Sequence, residues 1–435
     1  MLVIACVAFA LTIPALINGF PFVFMDTIDY IILTPRLYRS PFYQIFVFVA
    51  GLKRSAWLPI LVQAALSATI LWYLLEDVTG RNLRRFLLAG MTIAIFSSLS
   101  IFTGFLMPDV FTGLMFAGLF ILATQWPAIS NISRVLLTAI TLLSILVHLS
   151  HLVMAVAILL VGVVGRMAGA RMLNWRGLGA GIACTLAAVI LYVGYNAAVF
   201  GKATISPAGS TFLMANLIEY GPARRELRQG CPASGYRICR YAEQLPPTAN
   251  ELLWKEGALS ALGGFEGMKT ESDQIVVATI QHRPGDVAAV SAANTLRALA
   301  RVKPTTDVVA FADQAKVGGI IQDVYGRSAR QAFASSLQEM NRFPRTLFDG
   351  LTIGGLTAAL VAIIAGGALT IRRARWDLLV LPAFSMVAYA GNALTCATLS
   401  GVFDRYQSRV SWLIVAAAIH LWLGIRHDRS IATHV

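Results

Sequence analysis

Residues 1–20 read MLVIACVAFALTIPALINGF, and residues 21–30 continue PFVFMDTIDY, so an apolar run stops at a proline and is followed at once by Asp26, Asp29 and Tyr30. Such a run is about the length a helix needs to cross ~30 Å of hydrocarbon. It has no basic leader and no clear small-x-small cleavage pattern, so it reads as a retained span and not as a signal peptide. Ionisable groups at the edge of a bilayer are costly unless they face water or a polar site. The pattern recurs at Met107-Pro108-Asp109, between two apolar runs, and at Asp404-Arg405-Tyr406-Gln407-Ser408-Arg409, ahead of the last one.

The composition extends this reading to the whole chain. Hydrophobic residues make up 57% of the 435 positions and charged residues 13%, with a mean hydropathy of +0.69. A soluble protein has no interior for that much apolar surface. Apolar stretches recur at 1–20, 56–75, 86–105, 110–126, 135–148, 152–164, 178–200, 351–371, 378–399 and 412–425. The expectation is an α-helical polytopic membrane protein with about ten transmembrane helices.

The formal net charge of +13 would suit nucleic acid, but its placement excludes that partner. With the N-terminus inside, twelve arginines fall in inner loops: Arg81, Arg84, Arg85, Arg134, Arg166, Arg171, Arg176, Arg372, Arg373, Arg375, Arg426 and Arg429. Six basic residues fall in short outer loops: Arg36, Arg39, Lys53, Arg54, Arg405 and Arg409. This is the positive-inside pattern, and it puts all three acidic clusters on the outer, periplasmic face of a bacterial inner membrane. Reading 135–164 as one long span reverses the orientation with the same tally. A tight hairpin is preferred, because a single span would leave His148-Leu149-Ser150-His151 near mid-membrane.

Between the seventh and eighth stretches lies a block, 201–345, polar enough to fold in water and of small-domain size. The chain thus divides into a transmembrane module at 1–200, a mostly helical extramembrane domain at 201–345 and a second transmembrane module at 346–435. Helical spacing is expected at 271–280, 287–300 and 329–340. Segments 30–38 and 39–53 are aromatic and amphipathic, suited to helices lying in the outer interface. Cys231 and Cys239 are the block's two cysteines, and a disulfide between them suits an oxidising periplasm. A two-thiolate metal site is the rival reading. Cys6, Cys184 and Cys396 lie in spans, where buried thiols usually pack as small apolar groups.

Each acidic cluster has a chemical and a structural reading. Asp26 and Asp29 are spaced i, i+3 and would share one face of a helical turn. One of them would serve as general base toward an attacking hydroxyl, whereas Asp26 would otherwise cap an interfacial helix. Asp109 would act beside Asp26 in acid–base or metal work, leaving room for a divalent cation, or would cap the helix it precedes. Arg405 and Arg409 offer guanidinium forks for a phosphate or pyrophosphate; otherwise Arg405 pairs with Asp404 and Arg409 snorkels to headgroups. His148 and His151 would bind a metal, carry protons or touch substrate, or sit satisfied at the interface. Walker A, GxSxG, HExxH and CxxC patterns are absent.

These features resemble the GT-C superfamily of integral membrane glycosyltransferases, which take sugars from polyprenyl-phosphate or pyrophosphate carriers. Asp26-x-x-x-Tyr30 matches that superfamily's catalytic acid in the first outer loop with a tyrosine four residues on. Pro108-Asp109 looks like its second acidic motif, and Arg405 and Arg409 look like its late-loop phosphate-binding arginine. The resemblance covers the membrane part of the chain. It implies inverting transfer of a sugar from a polyprenyl-phosphate-linked donor to a glycan, lipid or protein acceptor in cell-envelope assembly. Asp26, Asp29 and Asp109 would then be catalytic, with Tyr30, Arg405, Arg409, His148 and His151 contacting substrate. The chain departs from the pattern in having Asp26-Thr27 where an Asp-Glu pair is common, and in its inserted block, so donor and acceptor are not carried over.

Two other function classes fit the composition. A transporter or flippase of lipid-linked saccharides would show inverted repeats and mid-membrane charges; no internal repeat is visible and the acids sit at span ends. A membrane scaffold with a periplasmic binding domain would not depend on Asp26.

Overall fold

The computed structural model describes residues 2–80 and 82–432, with side chains as far as 426. Met1 and Arg81 lie outside the described residues, as does the side chain of Arg429. The described residues form helices and turns, with one isolated parallel bridge between Phe22 and Phe105. The first two hundred residues give α1 (Leu2–Asn18), α2 (Met25–Ile31), α3 (Pro41–Gly51), α4 (Trp57–Thr79), α5 (Leu83–Phe96), α6 (Leu99–Gly104), α7 (Val110–Gln125), α8 (Asn131–Leu146), α9 (Leu149–Met167) and α10 (Trp175–Phe200). The polar block gives α11 (Gly209–Glu219), α12 (Pro222–Gly230), α13 (Ala249–Trp254), α14 (Ala258–Ala261), α15 (Gly264–Gly267), α16 (Lys269–His282), α17 (Pro284–Leu299), α18 (Gln314–Tyr325) and α19 (Arg327–Ala334). The chain closes with α20 (Arg345–Arg372), α21 (Val380–Leu399) and α22 (Asp404–Ala432).

The residues between apolar runs start the helices. Ser40, Asn82, Ser130, His148 and Asn174 each accept a hydrogen bond from a backbone N–H of the following turn. These caps satisfy donors that a helix leaves unbonded at its N-terminus. Among the described residues six helices are long and apolar enough to cross a membrane: α4, α9, α10, α20, α21 with its leading 3-10 turn, and α22. The protein is a membrane-embedded helical protein. Four further apolar helices, α1, α3, α7 and α8, are shorter.

Side-chain contacts fix the direction of several helices. Near one end Asp77 of α4 meets His420 of α22 at 3.0 Å, and Val78, Leu378, Leu421 and Ile425 cluster. At the other end Ser98 donates to the Ser408 carbonyl at 2.6 Å. There too Ser40 and Tyr192 both donate to the Leu146 carbonyl at the close of α8, at 2.6 and 2.5 Å. The start of α8 lies at the first end, where Tyr73 donates to Ser133 at 2.8 Å. α9 returns to that same end, with Gly165 near Leu173 in the loop before α10. Segment 135–164 is therefore the hairpin expected from its two histidines.

Two expectations are corrected. Stretch 86–105 is not one helix: it breaks at Ser97, whose extended backbone separates α5 from α6. The break is tolerated because Ser97, Ser98 and Ser100 hydroxyls bond backbone carbonyls there, at 2.6, 2.6 and 2.8 Å. Segment 30–38 is the tail of α2 followed by turns, not an interfacial helix. Arg36 and Arg39 both fold back onto Asp29 and hold the chain bent.

The polar block is also less separate than its composition implies. Residues from Met214 to Val276 enclose a core of their own. Val308, Val317, Ile321, Phe333 and Phe343 instead join the core of the bundle. Gln338 donates to the Val23 carbonyl at 2.7 Å and accepts from Val23 N–H at 3.1 Å. Cys231 and Cys239 are disulfide-bonded.

Close packing in the bundle rests on glycines at two backbone crossings. A Cβ on Gly177 would lie 1.8 Å from the Leu122 carbonyl oxygen, and one on Gly355 1.9 Å from that of Phe96. Gly177→Ala and Gly355→Ala are each expected to destabilise the protein by roughly 1–3 kcal/mol, as overpacking does. Gly179 and Gly354 face open space, so their alanine variants are expected to match or exceed the parent. Thermal unfolding in detergent compares the four; equal midpoints would refute the packing.

Candidate functional site

The Phe22–Phe105 bridge brings two acidic segments into register. Phe22 N–H donates to the Gly104 carbonyl at 2.9 Å, and Leu106 N–H donates to that of Phe22 at 3.0 Å. Asp26 lies four residues beyond Phe22 (26 − 22) and Asp109 four beyond Phe105 (109 − 105), so the bridge delivers both carboxylates to one place. Neither side chain caps a helix. Phe24 occupies the cap position of α2, with Thr27 bonding back to it at 2.9 Å. Asp109 holds the cap position of α7 but makes no side-chain cap bond.

α22 supplies the opposing charges, one helical turn apart. Arg409 is 1% exposed and donates to Asp109, itself 4% exposed, at 3.2 Å. Its Nη2 faces both Asn392 at 3.5 Å and the Cys396 sulfur at 3.3 Å, and its buried Nε has no hydrogen-bond partner among the described residues. Arg405 lies over the Phe24 ring at 4.1 Å. Three carboxylates surround it at ion-pair distance: Asp307 at 3.6 Å, Asp109 at 3.8 Å and Asp26 at 3.9 Å. None is a hydrogen bond, and the buried Nε and Nη1 of Arg405 have no hydrogen-bond partner among the described residues.

Arg39 closes the near side, donating to Asp26 and, at 3.3 Å, to Asp29. Asp29 also receives Arg36 at 3.2 Å. On the far side Asp404 accepts from Arg301 and from Lys303 N–H, both at 3.3 Å, not from Arg405. Asp307 comes from the loop between α17 and α18. Burial raises its carboxyl above the usual carboxylate range; Arg405 opposes this, and the charges of Asp109, Asp26 and Asp404 add to it.

Asp26, Asp29, Asp109, Arg405 and Arg409, singled out from sequence, thus converge. Tyr30 is buried edge-on against Tyr43 at 4.8 Å, forming floor and not wall. His151 reaches the base of the site with both ring nitrogens engaged. Its Nδ1 donates to the Ser144 carbonyl at 2.6 Å, so its Nε2 accepts from Thr112 at 2.7 Å. That leaves no nitrogen for a substrate. His148 caps α9 through Nδ1. Cys231 and Cys239 belong to the separate core of the block. Arg39, Asp307 and Asn392 were not singled out for the site. Arg39 counted only as an outer-loop charge, and Asp307 precedes an apolar stretch, 308–312, too short to mark a span.

Among the described residues no group of three or more His, Cys, Asp or Glu is arranged to hold a metal ion. A cavity of about 730 Å³ lies elsewhere, between α5, α20 and α22, and is lined mostly by apolar side chains and glycines. Comparisons with family models, curated proteins and solved structures gave no match to the chain.

Removing one partner of a buried ion pair strands the other charge, at a cost of about 3–5 kcal/mol. Asp109→Ala is expected to destabilise the protein on that scale. Asp109→Leu combined with Arg409→Met should recover most of the loss, because no charge is then stranded. Denaturation in detergent reads both, and an Asp109→Ala variant as stable as the parent would contradict this account of the pair.

Proposed function

We propose that the protein is a membrane glycosyltransferase of GT-C type, with ten membrane crossings. It would move a sugar from a polyprenyl-phosphate-linked donor to an acceptor at the periplasmic face of a bacterial inner membrane. The observation that carries the reading is Arg405, a nearly buried guanidinium with two unbonded nitrogens between three carboxylates. Unmet donors of this kind fit an anionic oxygen, and guanidinium forks match phosphate geometry. Arg409, fixed by Asp109, would add charge behind the same phosphate and stabilise it as it leaves. The carboxylates beside it offer a proton acceptor for the attacking hydroxyl.

Placement supports an enzyme over a transporter. The ionisable cluster gathers at one end of the bundle, at helix starts and a broken helix, whereas carriers concentrate such groups near the midplane. The loop arginines lie at the opposite end, which supports a periplasmic site by the positive-inside rule.

Binding of polyprenyl phosphate to the purified protein tests the reading. A hydrogen bond to a charged group contributes about 1.5–3 kcal/mol, so Arg405→Ala should weaken binding by roughly ten- to hundredfold. Arg405→Lys should recover only part, since it keeps the charge and loses the fork. A parent protein that neither binds polyprenyl phosphate nor consumes any of a panel of polyprenyl-phosphate-linked hexoses would defeat the proposal.

A further inference from the structure

We infer that Asp307, contributed by the polar block, is the carboxylate that takes the proton from the acceptor hydroxyl. This rests on the transferase reading and assigns a base other than Asp26, the residue the sequence favoured. Five carboxylates line the site, and four are committed to protein donors. Asp26 accepts from Arg39, Asp29 from Arg36 and Arg39, Asp109 from Arg409, and Asp404 from Arg301 and Lys303 N–H. Asp307 faces Arg405 at 3.6 Å and, among the described residues, accepts no hydrogen bond. It is also the most open of the five, at 27% exposure against 19% for Asp26 and 4% for Asp109.

Position and basicity agree with this role. A phosphate seated on the unbonded nitrogens of Arg405 would lie beside Asp307, and the anomeric carbon is one bond from a phosphate oxygen. Inverting attack brings the hydroxyl to that carbon from the face opposite the phosphate oxygen, and Asp307, the carboxylate of the five that accepts no hydrogen bond among the described residues, is the acceptor assigned to its proton. Burial raises its carboxyl, with Arg405 the cation that opposes this and Asp109, Asp26 and Asp404 the anions that add to it. A carboxylate raised in this way is better matched to proton abstraction near neutral pH.

The acceptor oxygen forms a bond to the anomeric carbon, and the bond from that carbon to the phosphate oxygen breaks, its electron pair staying on the phosphate held by Arg405. The acceptor proton passes to Asp307, which later releases it to water.

The test uses the full-length protein in detergent, a polyprenyl-phosphate-linked hexose that the parent consumes, and octyl glucoside as a model acceptor. Asp307→Asn should lower kcat by roughly 10²–10⁴-fold with donor KM little changed, and should abolish the acidic limb of the pH–rate profile. Asp307→Glu should restore the limb and part of the rate, while Asp323→Asn, on the exposed surface of the same block, should match the parent. An Asp307→Asn enzyme within threefold of parental kcat, with its acidic limb intact, would overturn the assignment and leave the transferase reading standing. A second readout needs no turnover. Dicyclohexylcarbodiimide, which labels protonated carboxyls in apolar surroundings, should modify Asp307 in preference to Asp26, increasingly as pH falls and less with polyprenyl phosphate bound. Peptide mapping that found Asp26 labelled in its place would also overturn it.

Discussion

A guanidinium and a carboxylate withdrawn almost completely from solvent, Arg409 and Asp109, set the terms for the end of the bundle that holds the site. Taking two charges out of water costs several kcal/mol each, and their attraction offsets this only when the remaining polar atoms are met. The surrounding helices supply partners for both terminal nitrogens of Arg409, while its Nε is unbonded among the described residues. Asn392 bonds the Tyr406 carbonyl and the Gln407 side chain while its oxygen faces Arg409. Gln407 in turn donates to the Tyr389 carbonyl at 2.8 Å. α21 and α22 are thus locked in register by amides whose purpose is to keep one arginine in place. The break between α5 and α6 follows from the same demand. An unbroken helix over 86–105 would not release the backbone of residues 104–106 to pair with Phe22, and Asp26 would have no fixed position relative to Asp109.

The polar block extends this constraint to the outer side. Its first half has an independent core, but the stretch after α17 is part of the bundle: Leu337 N–H bonds the Asn18 carbonyl at 2.9 Å, and Gln338 N–H bonds the Asn18 side chain at 2.7 Å. Thr305 is pinned by Asp349 at the head of α20 through two bonds, at 3.1 and 2.8 Å. These anchors flank Asp307 on both sides in sequence. A loop tied at 305 and 338 places its carboxylate with the accuracy of the helices, which a hinged separate domain would not.

Much of this was legible in the sequence because it follows from hydrophobic period and from the cost of burying charge. The apolar helices, six of them long enough to span among the described residues, the hairpin at His148, the helical character of the polar block and the pairing of Cys231 with Cys239 all rest on local signals. The convergence of Asp26, Asp109 and Arg409 was suggested only by their shared position at span ends. What escaped were features that depend on contacts distant in sequence. The serines at 97, 98 and 100 look like ordinary tolerated polar residues in a span until Ser98 is seen to bond residue 408. Asp307 is separated from Arg405 by 98 residues (405 − 307), and the short mixed stretch around it carries no clear periodicity. His151 erred the other way, since its residue type suggested chemistry while its environment engages both nitrogens.

The charge balance of the site bears on how it selects a ligand. Five carboxylates, Asp26, Asp29, Asp109, Asp307 and Asp404, face five guanidinium groups, Arg36, Arg39, Arg301, Arg405 and Arg409. Formally the cluster is neutral, so net attraction does not single out an anion. Selection must come from the directions of individual donors. Most of the arginines are already hydrogen-bonded to carboxylates. Arg405 differs, because three carboxylates hold its charge at 3.6–3.9 Å without taking its hydrogens. In a site of low effective dielectric such unmade bonds are costly. A ligand oxygen that completes them gains more than the same oxygen would at a surface arginine, and an apolar or cationic group placed there gains nothing. The neutral cluster thereby discriminates by geometry where a basic patch would discriminate only by sign.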